Sequence, residues 1–274
     1  LIFGPSVKSL IELNKQCFKI MGDMNWHAHC GINTYPFQVA VNFKVPLLIW
    51  GEIFWDISGM YDLNDAVEFT NRMRIEYDLR GYEWNDVIKN TSLKEKDMLW
   101  AKFPRDEDYR KNKIRGIAIG NYFKWDPYKH TKMIQEKYNW KESSKPFERT
   151  YRRMSNLDDR YENGIHDLLK FIKFGYGRAT DHASKDIRTG YMSRDEGIKM
   201  VKKYDHVVSS DLDYWLDYVK MDKDEFWSIA DTFRSNKVWW IENNEWHKYN
   251  IWGGSSSFGE VRLKKELQKK YLKK

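Results

Sequence analysis

The feature that most constrains the fold is the apolar run VPLLIW at 45–50, which Gly51 and Glu52 follow directly. A short, continuous apolar run that ends at a glycine is typical of a buried strand in a parallel sheet. Helical spacing at 35–43 precedes the run, and IRGIAIG at 114–120 is a second candidate strand. A helix followed by a buried strand predicts an α/β fold with a parallel sheet.

Periodicity and capping signals predict further helices, and the segment GDMNWHAHCG at 22–31 is predicted to be a loop. The run VWWIENNEWHKY predicts a small hairpin about Asn243 and Asn244, and the basic tail from Arg262 predicts a solvated helix. Helices are predicted over 10–21, 35–43, 65–79 and 166–174. Asn64 is the predicted N-cap of the third, which stops at Gly81, and Gly175 ends the fourth. Three further helices are predicted to begin at Ser193, Ser210 and Asp222.

Composition then divides the chain into three parts. Residues 86–113 are charged and irregular apart from one predicted short helix, and they open an insertion at 86–164. The α/β region covers 1–85, and residues 165–274 are predicted to be mainly helical. The chain begins at Leu1 without an initiator methionine, so we expect a segment before it.

The overall charge and the cysteine content exclude several classes of protein. A net charge of +7 suits an anionic ligand but is too dispersed for a dedicated nucleic-acid binder. Cys17 and Cys30 are too few for a disulfide framework, which favours the reducing cytoplasm. The longest apolar run is far below the ~20 residues of a membrane helix. We therefore expect a soluble cytoplasmic protein with no nucleic-acid or membrane partner.

The stretch GYGRATDHASKDIRTG at 175–190 concentrates ionisable groups between glycines. Arg178, His182 and Lys185 recur at helical spacing, with Asp181 and Arg188 beside them, so a helix would align them in one polar stripe. This pattern fits a cleft wall. The alternative is a solvated helix with an Asp181–Lys185 pair, which contributes only a few tenths of a kcal/mol.

The residues after the apolar run form a second candidate site. Ligands of open α/β sheets collect beyond the carboxyl ends of the strands, where Glu52 and Asp56 would face the cleft and bind Mg²⁺ on a nucleotide. The alternative is that Glu52 caps a turn and Asp56 begins a loop. His27, His29 and Cys30 suggest zinc, but no fourth ligand stands at a recognisable spacing, so a structural role is favoured.

A third cluster lies in RTYRRMSNLDD at 149–159. Its arginines stand next to Asp158 and Asp159, and they could bind a phosphorylated ligand or neutralise those acids. The tryptophans give an alternative of another kind, a glycan-binding module that stacks sugars on its indole rings. The rings concerned are those of Trp50, Trp55, Trp239 and Trp240.

Longer strings resemble a known family, the bacterial N-acetyl sugar amidotransferases of surface polysaccharide and flagellin sugar synthesis. The resemblance runs from about Leu1 to Gly259, and these proteins make acetamidino forms of mannosaminuronic, pseudaminic or legionaminic acid derivatives. The strings are GDMNWHAHCGI, PLLIWGE, YRRMSNLDDRYENGIHDLLKFIKFGYGRATDHASKDIR, GYMSRDEGI and the pair VWWI and NIWGG.

The resemblance implies an incomplete adenine-nucleotide alpha-hydrolase-like fold, a Rossmann-like sheet of the pyrophosphate-loop (PP-loop) ATP pyrophosphatases. Residues 1–85 would then be the remainder of the nucleotide-binding domain. The implied reaction activates an acetamido oxygen with ATP and Mg²⁺ and then replaces AMP by ammonia. The implied partners are an acetamido sugar or its nucleotide derivative, and separate glutaminase and cyclase-like barrel subunits that supply ammonia.

The resemblance also implies roles for single residues. Arg178, Lys185 and Arg188 would neutralise the developing pyrophosphate. Asp181 would orient Lys185, and His182 would donate to phosphate or deprotonate the amine. The nucleotide and its metal would be bound by Gly51, Glu52 and Asp56. The sugar would be bound by Trp26, His27, His29, Arg152, Asn156, Asp158 and Asp159.

One departure from the family is serious. The glycine-rich pyrophosphate loop S-G-G-x-D-S and the paired N-terminal cysteines are not found in this sequence. We expect both to lie before Leu1, where the paired cysteines could bind zinc. We also expect residues 1–274 alone to be inactive.

Overall fold

The computed structural model describes residues 3–54, 62–154 and 161–272 and divides into two compact units. Unit 1 comprises Leu1–Cys17 and Asn25–Trp140, and unit 2 comprises Phe18–Met24 and Lys141–Lys274. The three-part organisation with boundaries after residues 85 and 164 stays a prediction. None of the helices in the described part is long and apolar enough to cross a membrane.

Unit 1 contains a small parallel sheet and several helices, most of them short. The helix α1 (Val7–Met21) begins in unit 1 and ends in unit 2. The other elements of unit 1 are α2 (Trp26–Phe43), β1 (Leu47–Trp50), α3 (Asn71–Met73), which continues as a π-helix (Arg74–Asp78), α4 (Trp84–Val87), 3₁₀ turns at Ile88–Asn90 and Glu95–Ala101, α5 (Asp106–Lys111), β2 (Arg115–Ala118), a 3₁₀ turn at Ile119–Asn121 and α6 (Pro127–Tyr138).

The parallel sheet confirms both predicted strands. β1 pairs with β2 in a register that places Leu47 opposite Arg115 and Trp50 opposite Ala118. The prediction that the run is buried was wrong for its outer side chains, because Leu47 and Ile49 are 42% and 57% exposed. The chain is thus a mixed α/β protein, and the Rossmann-like PP-loop assignment stays a prediction.

The predicted loop at 22–31 is wrong from Trp26 onward, where α2 begins. Its buried side chains recur every three or four residues and form a helical stripe. Gly31 and Pro36 lie inside the helix and hide this periodicity in the sequence. The stripe consists of Trp26, Cys30, Asn33, Thr34, Phe37 and Ala40.

The helix predicted over 65–79 begins only at Asn71, so its first six residues were wrong. Thr70 is the N-cap, and its hydroxyl accepts a hydrogen bond from the amide of Met73. Just before it, the amide of Phe69 donates to the carbonyl of Gly116 in β2 at 2.7 Å. This tertiary bond holds the chain extended where local propensity allows a helix.

Unit 2 is mainly helical and ends in a small antiparallel sheet, as predicted. Its core packs Phe18, Leu169, Trp215 and Phe226 together, with Phe18 stacked on Phe226 at 4.9 Å between ring centroids. Its elements are α7 (Glu162–Phe174), α8 (Arg178–Arg188), α9 (Arg194–Tyr204), α10 (Asp211–Val219), α11 (Lys223–Thr232), β3 (Trp240–Glu242), β4 (Glu245–Tyr249), β5 (Ser255–Glu260) and α12 (Lys265–Gln268), followed by a 3₁₀ turn at Lys269–Tyr271.

The predicted hairpin is confirmed, with Asn243 and Asn244 at φ values of 51° and 61°. A third strand, β5, pairs with β4 and was not predicted, because its sequence SSSFGE lacks apolar alternation. The tail is not a simple solvated helix. Tyr271 is only 1% exposed, and its hydroxyl donates to the carbonyl of Arg234 at 2.7 Å.

Candidate functional site

The carboxyl edge of the parallel sheet in unit 1 is the first candidate site. Gly51 and Glu52 follow β1 and are exposed. The amide of Gly120, after β2, donates to the carbonyl of Glu52 at 2.9 Å, and a Cβ on Gly120 would lie 2.7 Å from that oxygen. Only glycine allows the two strand ends to approach this closely. Asp56 lies outside the described residues.

A second carboxylate, that of Asp78, interacts electrostatically with Glu52 and was missed in the sequence. Asp78 is the last residue of the π-helix, a geometry that recurs at functional sites. Burial, and to a smaller extent the charge of Glu52, outweigh the opposing charges of Arg80 and Arg74 and raise the pKa of Asp78 to about 7. A carboxyl group that titrates near neutrality beside a second carboxylate can act as an acid or a base.

An open groove of about 460 Å³ runs beside the same π-helix. Its floor is the guanidinium of Arg74, which is 1% exposed and forms an ion pair with Glu83. The indole of Trp84 forms part of the wall, with the ammonium of Lys102 at 4.9 Å from its ring centroid. The amides of Asn71 and Asn85 also line the groove. An aromatic ring beside amides and carboxylates suits a polar, ring-shaped ligand.

The first turn of α2 carries three of the predicted substrate residues. Trp26 has no exposed surface, and its indole N–H donates to the carbonyl of Tyr82 at 3.0 Å. Trp26 is therefore a packing residue, and its position gives no support to the predicted contact with the acetamido side. His27 and His29 are partly exposed, and their contact with a sugar stays a prediction.

Cys30 is poorly suited to zinc. Its thiol is fully buried, 3.8 Å from the hydroxyl of Thr34, and burial raises its pKa to about 12. Zinc binds the thiolate, which such a site strongly disfavours. Within the described ranges, no group of three or more His, Cys, Asp or Glu side chains could hold a metal ion.

The polar stripe in unit 2 forms the predicted helix, α8, and buried acids surround it. Arg178 is bound to Asp167 of α7, with 2.8 Å between Nη2 and Oδ1. Lys170, also on α7, forms an ion pair with Asp181. Asp181 thus faces α7, and its predicted role in orienting Lys185 stays a prediction.

A buried ion pair also joins α8 to the arginine-rich segment before it. Arg152 and Asp186 form this pair and are 7% and 1% exposed, and the hydroxyl of Tyr151 donates to the same carboxylate. Arg152 is therefore neutralised by Asp186 of α8, and its expected pairing with Asp158 or Asp159 stays a prediction. Asn156, Asp158 and Asp159 lie outside the described residues.

The amino end of α8 is occupied by a side chain. Asp205 accepts hydrogen bonds from the amides of Gly177 and Thr180, at 2.8 and 3.0 Å, and from the hydroxyl of Thr180 at 2.7 Å. The carboxylate thus takes the place that a phosphate could occupy at a helix amino terminus. Anion binding by α8 then depends on its side chains alone.

His182 lies inside unit 2 rather than on a cleft wall. It is 5% exposed, and its Nδ1 lies 2.6 Å from the hydroxyl of Thr150. Burial, together with the positive charges of Arg152, Arg178 and Lys185, lowers the pKa of His182 to about 2. The imidazole is therefore neutral at physiological pH. Of the other stripe residues, Lys185 is partly exposed, and exposed Arg188 donates to Ser184 at 2.7 Å.

The buried acids Asp167, Asp186 and Asp205 were missed in the sequence. Asp186 follows His182 by four residues and so belongs to the same stripe, which was the available signal. Asp167 and Asp205 carry no local signal, because their partners stand on other elements.

Comparison with known families places this cluster in a described domain. Residues 128–251, slightly less than half of the chain, match the model of the family described as LPS biosynthesis protein WbpG-like, C-terminal domain. Over this segment the chain is similar to that domain, and the predicted resemblance to proteins of lipopolysaccharide (LPS) biosynthesis is confirmed to that extent. No curated protein gives a significant match.

Proposed function

We propose that the protein is an ATP-dependent amidotransferase of LPS sugar biosynthesis, which converts an acetamido group into an acetamidino group. The observation that carries the proposal is the WbpG-like match, whose segment includes the charged cluster around α8. The long resemblance to the sugar amidotransferases supplies the reaction. The nucleotide-binding PP-loop fold is part of the same proposal.

The proposed chemistry proceeds in two displacements. The acetamido oxygen attacks the α-phosphorus of ATP, and pyrophosphate leaves with the electron pair of the broken P–O bond. Ammonia then adds to the imidate carbon, AMP leaves with the former amide oxygen, and a proton is lost to give the amidine. Adenylation is needed because an amide oxygen is a poor leaving group, and exclusion of water protects the intermediate.

The strand edge of unit 1 is proposed to bind the nucleotide. Exposed Gly51 and Glu52 lie where open α/β sheets bind ligands, and Asp56 is assigned to the same role. Carboxylate oxygens suit Mg²⁺, which takes one or two protein ligands and leaves the rest to phosphates and water. Asp78 adds a base that is partly ionised near neutrality and could accept the proton released by the amine.

Cationic side chains of α8 are proposed to neutralise pyrophosphate charge. Partly exposed Lys185 and exposed Arg188 fit this role best, since Arg178 is bound to Asp167. Electrostatic stabilisation of this kind is commonly the largest contribution to catalysis. We assign His182 to positioning, because a buried, neutral imidazole beside Thr150 holds the arginine-rich segment in place.

The test uses the intact protein and its variants. Each is incubated with ATP, Mg²⁺, ammonium and acetamido sugars or their nucleotide derivatives, and mass spectrometry detects replacement of oxygen by NH together with AMP. We expect amidine and AMP with the unaltered protein, and about 100-fold less amidine with Lys185→Met. Lys264→Met, on an exposed residue, is the control. Absence of both amidine and AMP with every sugar would contradict the proposal.

Glutaminase and barrel subunits are proposed as the ammonia source. Glutamine should replace ammonium only when those subunits are added to the same assay.

The alternative function, a non-catalytic nucleotide-sugar or glycan-binding module, loses support from the structure. Trp239 and Trp240 are only 1% and 9% exposed, and Trp50 stacks on Phe69 at 5.4 Å between ring centroids. Trp55 lies outside the described residues.

A further inference from the structure

A small, partly open cavity in unit 2 is separate from the proposed chemistry. It has a volume of about 50 Å³ and lies among the end of α7, the start of α8, the end of α9 and the strands β4 and β5. Most of its wall is apolar, supplied by Phe171, Val201, Ile251, Trp252 and Phe258. Such a wall favours an apolar group in the ligand.

Lys248 of β4 brings a positive charge to this apolar cavity. It is 9% exposed, and its Nζ lies 5.2 Å from the ring centroid of Phe258 and 5.9 Å from that of Phe171. The ammonium donates one hydrogen bond, to the carbonyl of Tyr249 at 3.0 Å. An ammonium has three N–H donors, so it can donate further bonds to a ligand.

The position of Lys248 depends on the chain around it. Gly175 ends α7 at φ +75°, and a Cβ on this residue would lie 3.3 Å from Cδ of Lys248 and 2.5 Å from Val238. The glycine thus lets the lysine stem pass into the cavity. The nearest acid is Asp205, whose carboxylate already accepts three hydrogen bonds from Gly177 and Thr180.

A second buried cation, Arg149, lies near the cavity, with Asp167 and Asp205 as its neighbouring acids. Behind the wall, the guanidinium of Arg149 donates to the carbonyl of Asp205 at 2.5 Å and lies 5.9 Å from the ring of Phe171. Arg149 is 2% exposed, and its Nε and Nη1 have no hydrogen-bond partner among the described residues. Desolvation lowers the pKa of both Arg149 and Lys248, so a nearby anion would stabilise the charged form of each side chain.

The volume of the cavity limits the size of the ligand. A water molecule needs about 10–15 Å³ of such volume, so the cavity holds about four non-hydrogen atoms. We propose that this cavity binds a short carboxylate of the size of acetate, with its methyl group against the aromatic rings and its oxygens at Nζ of Lys248. The inference does not depend on the amidotransferase reaction. The ligand is a free short-chain acid.

The test is saturation-transfer NMR on the intact chain without ATP, with acetate, acetamide, butyrate and glucuronate as probes at matched ionic strength. We expect transfer to the methyl group of acetate and at least tenfold weaker binding of acetamide, which lacks the charge. Butyrate should be excluded by size. Glucuronate should be excluded for the same reason, and competition with acetate by either larger acid would show that the cavity does not select by size.

Lys248→Met keeps the lysine stem and removes the charge, and it should lower acetate affinity about tenfold or more. Lys203→Met, on an exposed lysine of α9, should leave binding unchanged. Should Lys248→Met fail to fold, the size series on the unaltered chain decides alone. Equal binding of all four probes, competition by chloride, or no transfer to acetate would overturn the inference, since the cavity then holds only water or unselected anions.

Discussion

The two units use buried charge in different ways. In unit 2, Asp167 and Asp186 lie directly against arginines. At the strand edge of unit 1, desolvation of Asp78 outweighs the stabilisation from Arg80 and Arg74, and its pKa rises to about 7. A buried acid held by a cation fixes a structure, whereas an acid that titrates near neutrality is available for chemistry. Unit 1 also contains a fixed pair, Arg74 and Glu83, so what distinguishes it is Asp78, whose carboxyl is available for chemistry.

The largest expected effect is loss of a buried pair in unit 2. Asp186→Asn leaves Arg152 without its charge partner in the interior, and we expect the free energy of unfolding to fall by about 3–5 kcal/mol. Urea denaturation followed by circular dichroism measures this. Asp217→Asn is the matched control, since the pair Lys220–Asp217 is exposed and should contribute at most about 1 kcal/mol. Equal effects at the two sites would show that the buried pair is not structural.

His182 should make unit 2 sensitive to acid. Its folded pKa, about 2, lies below the unfolded value near 6.5, so between these values only the unfolded state binds the proton. Stability should therefore be lost as pH falls below about 6.5, by at most about 1.4 kcal/mol per pH unit.

His182→Gln should flatten that acid limb while keeping a side-chain hydrogen-bonding group near Thr150. Unfolding midpoints measured at several pH values between about 4 and 8 test this. His130, a partly exposed histidine of α6, provides the control in His130→Gln. An unchanged acid limb in the His182 variant would place the acid sensitivity elsewhere.

Asp78 should give the stability of the protein the opposite dependence on pH. Its folded pKa of about 7 exceeds the unfolded value of about 3.9, so between them the folded state alone keeps the proton, and stability falls as pH rises. Asp78→Asn should remove this loss and raise stability at pH 8 by roughly 1–2 kcal/mol. It should also reduce amidine formation at neutral pH. Higher stability with full activity would confine Asp78 to a structural role.

The smallest expected effect concerns Cys30. Its pKa of about 12 leaves almost no thiolate at neutral pH, so iodoacetamide should not modify it in the folded chain. Mass spectrometry should show modification only after addition of urea. Zinc should leave the thermal midpoint unchanged. Rapid alkylation of the native chain would show that this part of unit 1 opens in solution.

Features set by local interactions could be predicted from the sequence. Ser193 and Glu196 form the expected capping box, and Asn243 and Asn244 form the expected turn, because each depends on neighbours within three residues. The start of α2 was missed although Trp26 and Cys30 begin a helical stripe, since Gly31 obscured it.

The candidate site was harder to predict, because its properties come from tertiary packing. The polar stripe of α8 was found, but the sequence could not show that His182 points inward or that Asp205 occupies the amino end of the helix. For Asp78, the rise in pKa depends on burial and on Glu52, which lies 26 residues before it. No local pattern encodes either property.

The outer edge of β1 has a practical consequence for anyone purifying this chain. Within the described ranges β1 pairs only with β2, and Leu47 and Ile49 remain exposed. An unpaired edge with apolar side chains is a template for another strand, which makes it a site of self-association. At high concentration the protein should aggregate through the exposed edge of β1, and Ile49→Lys should reduce this aggregation.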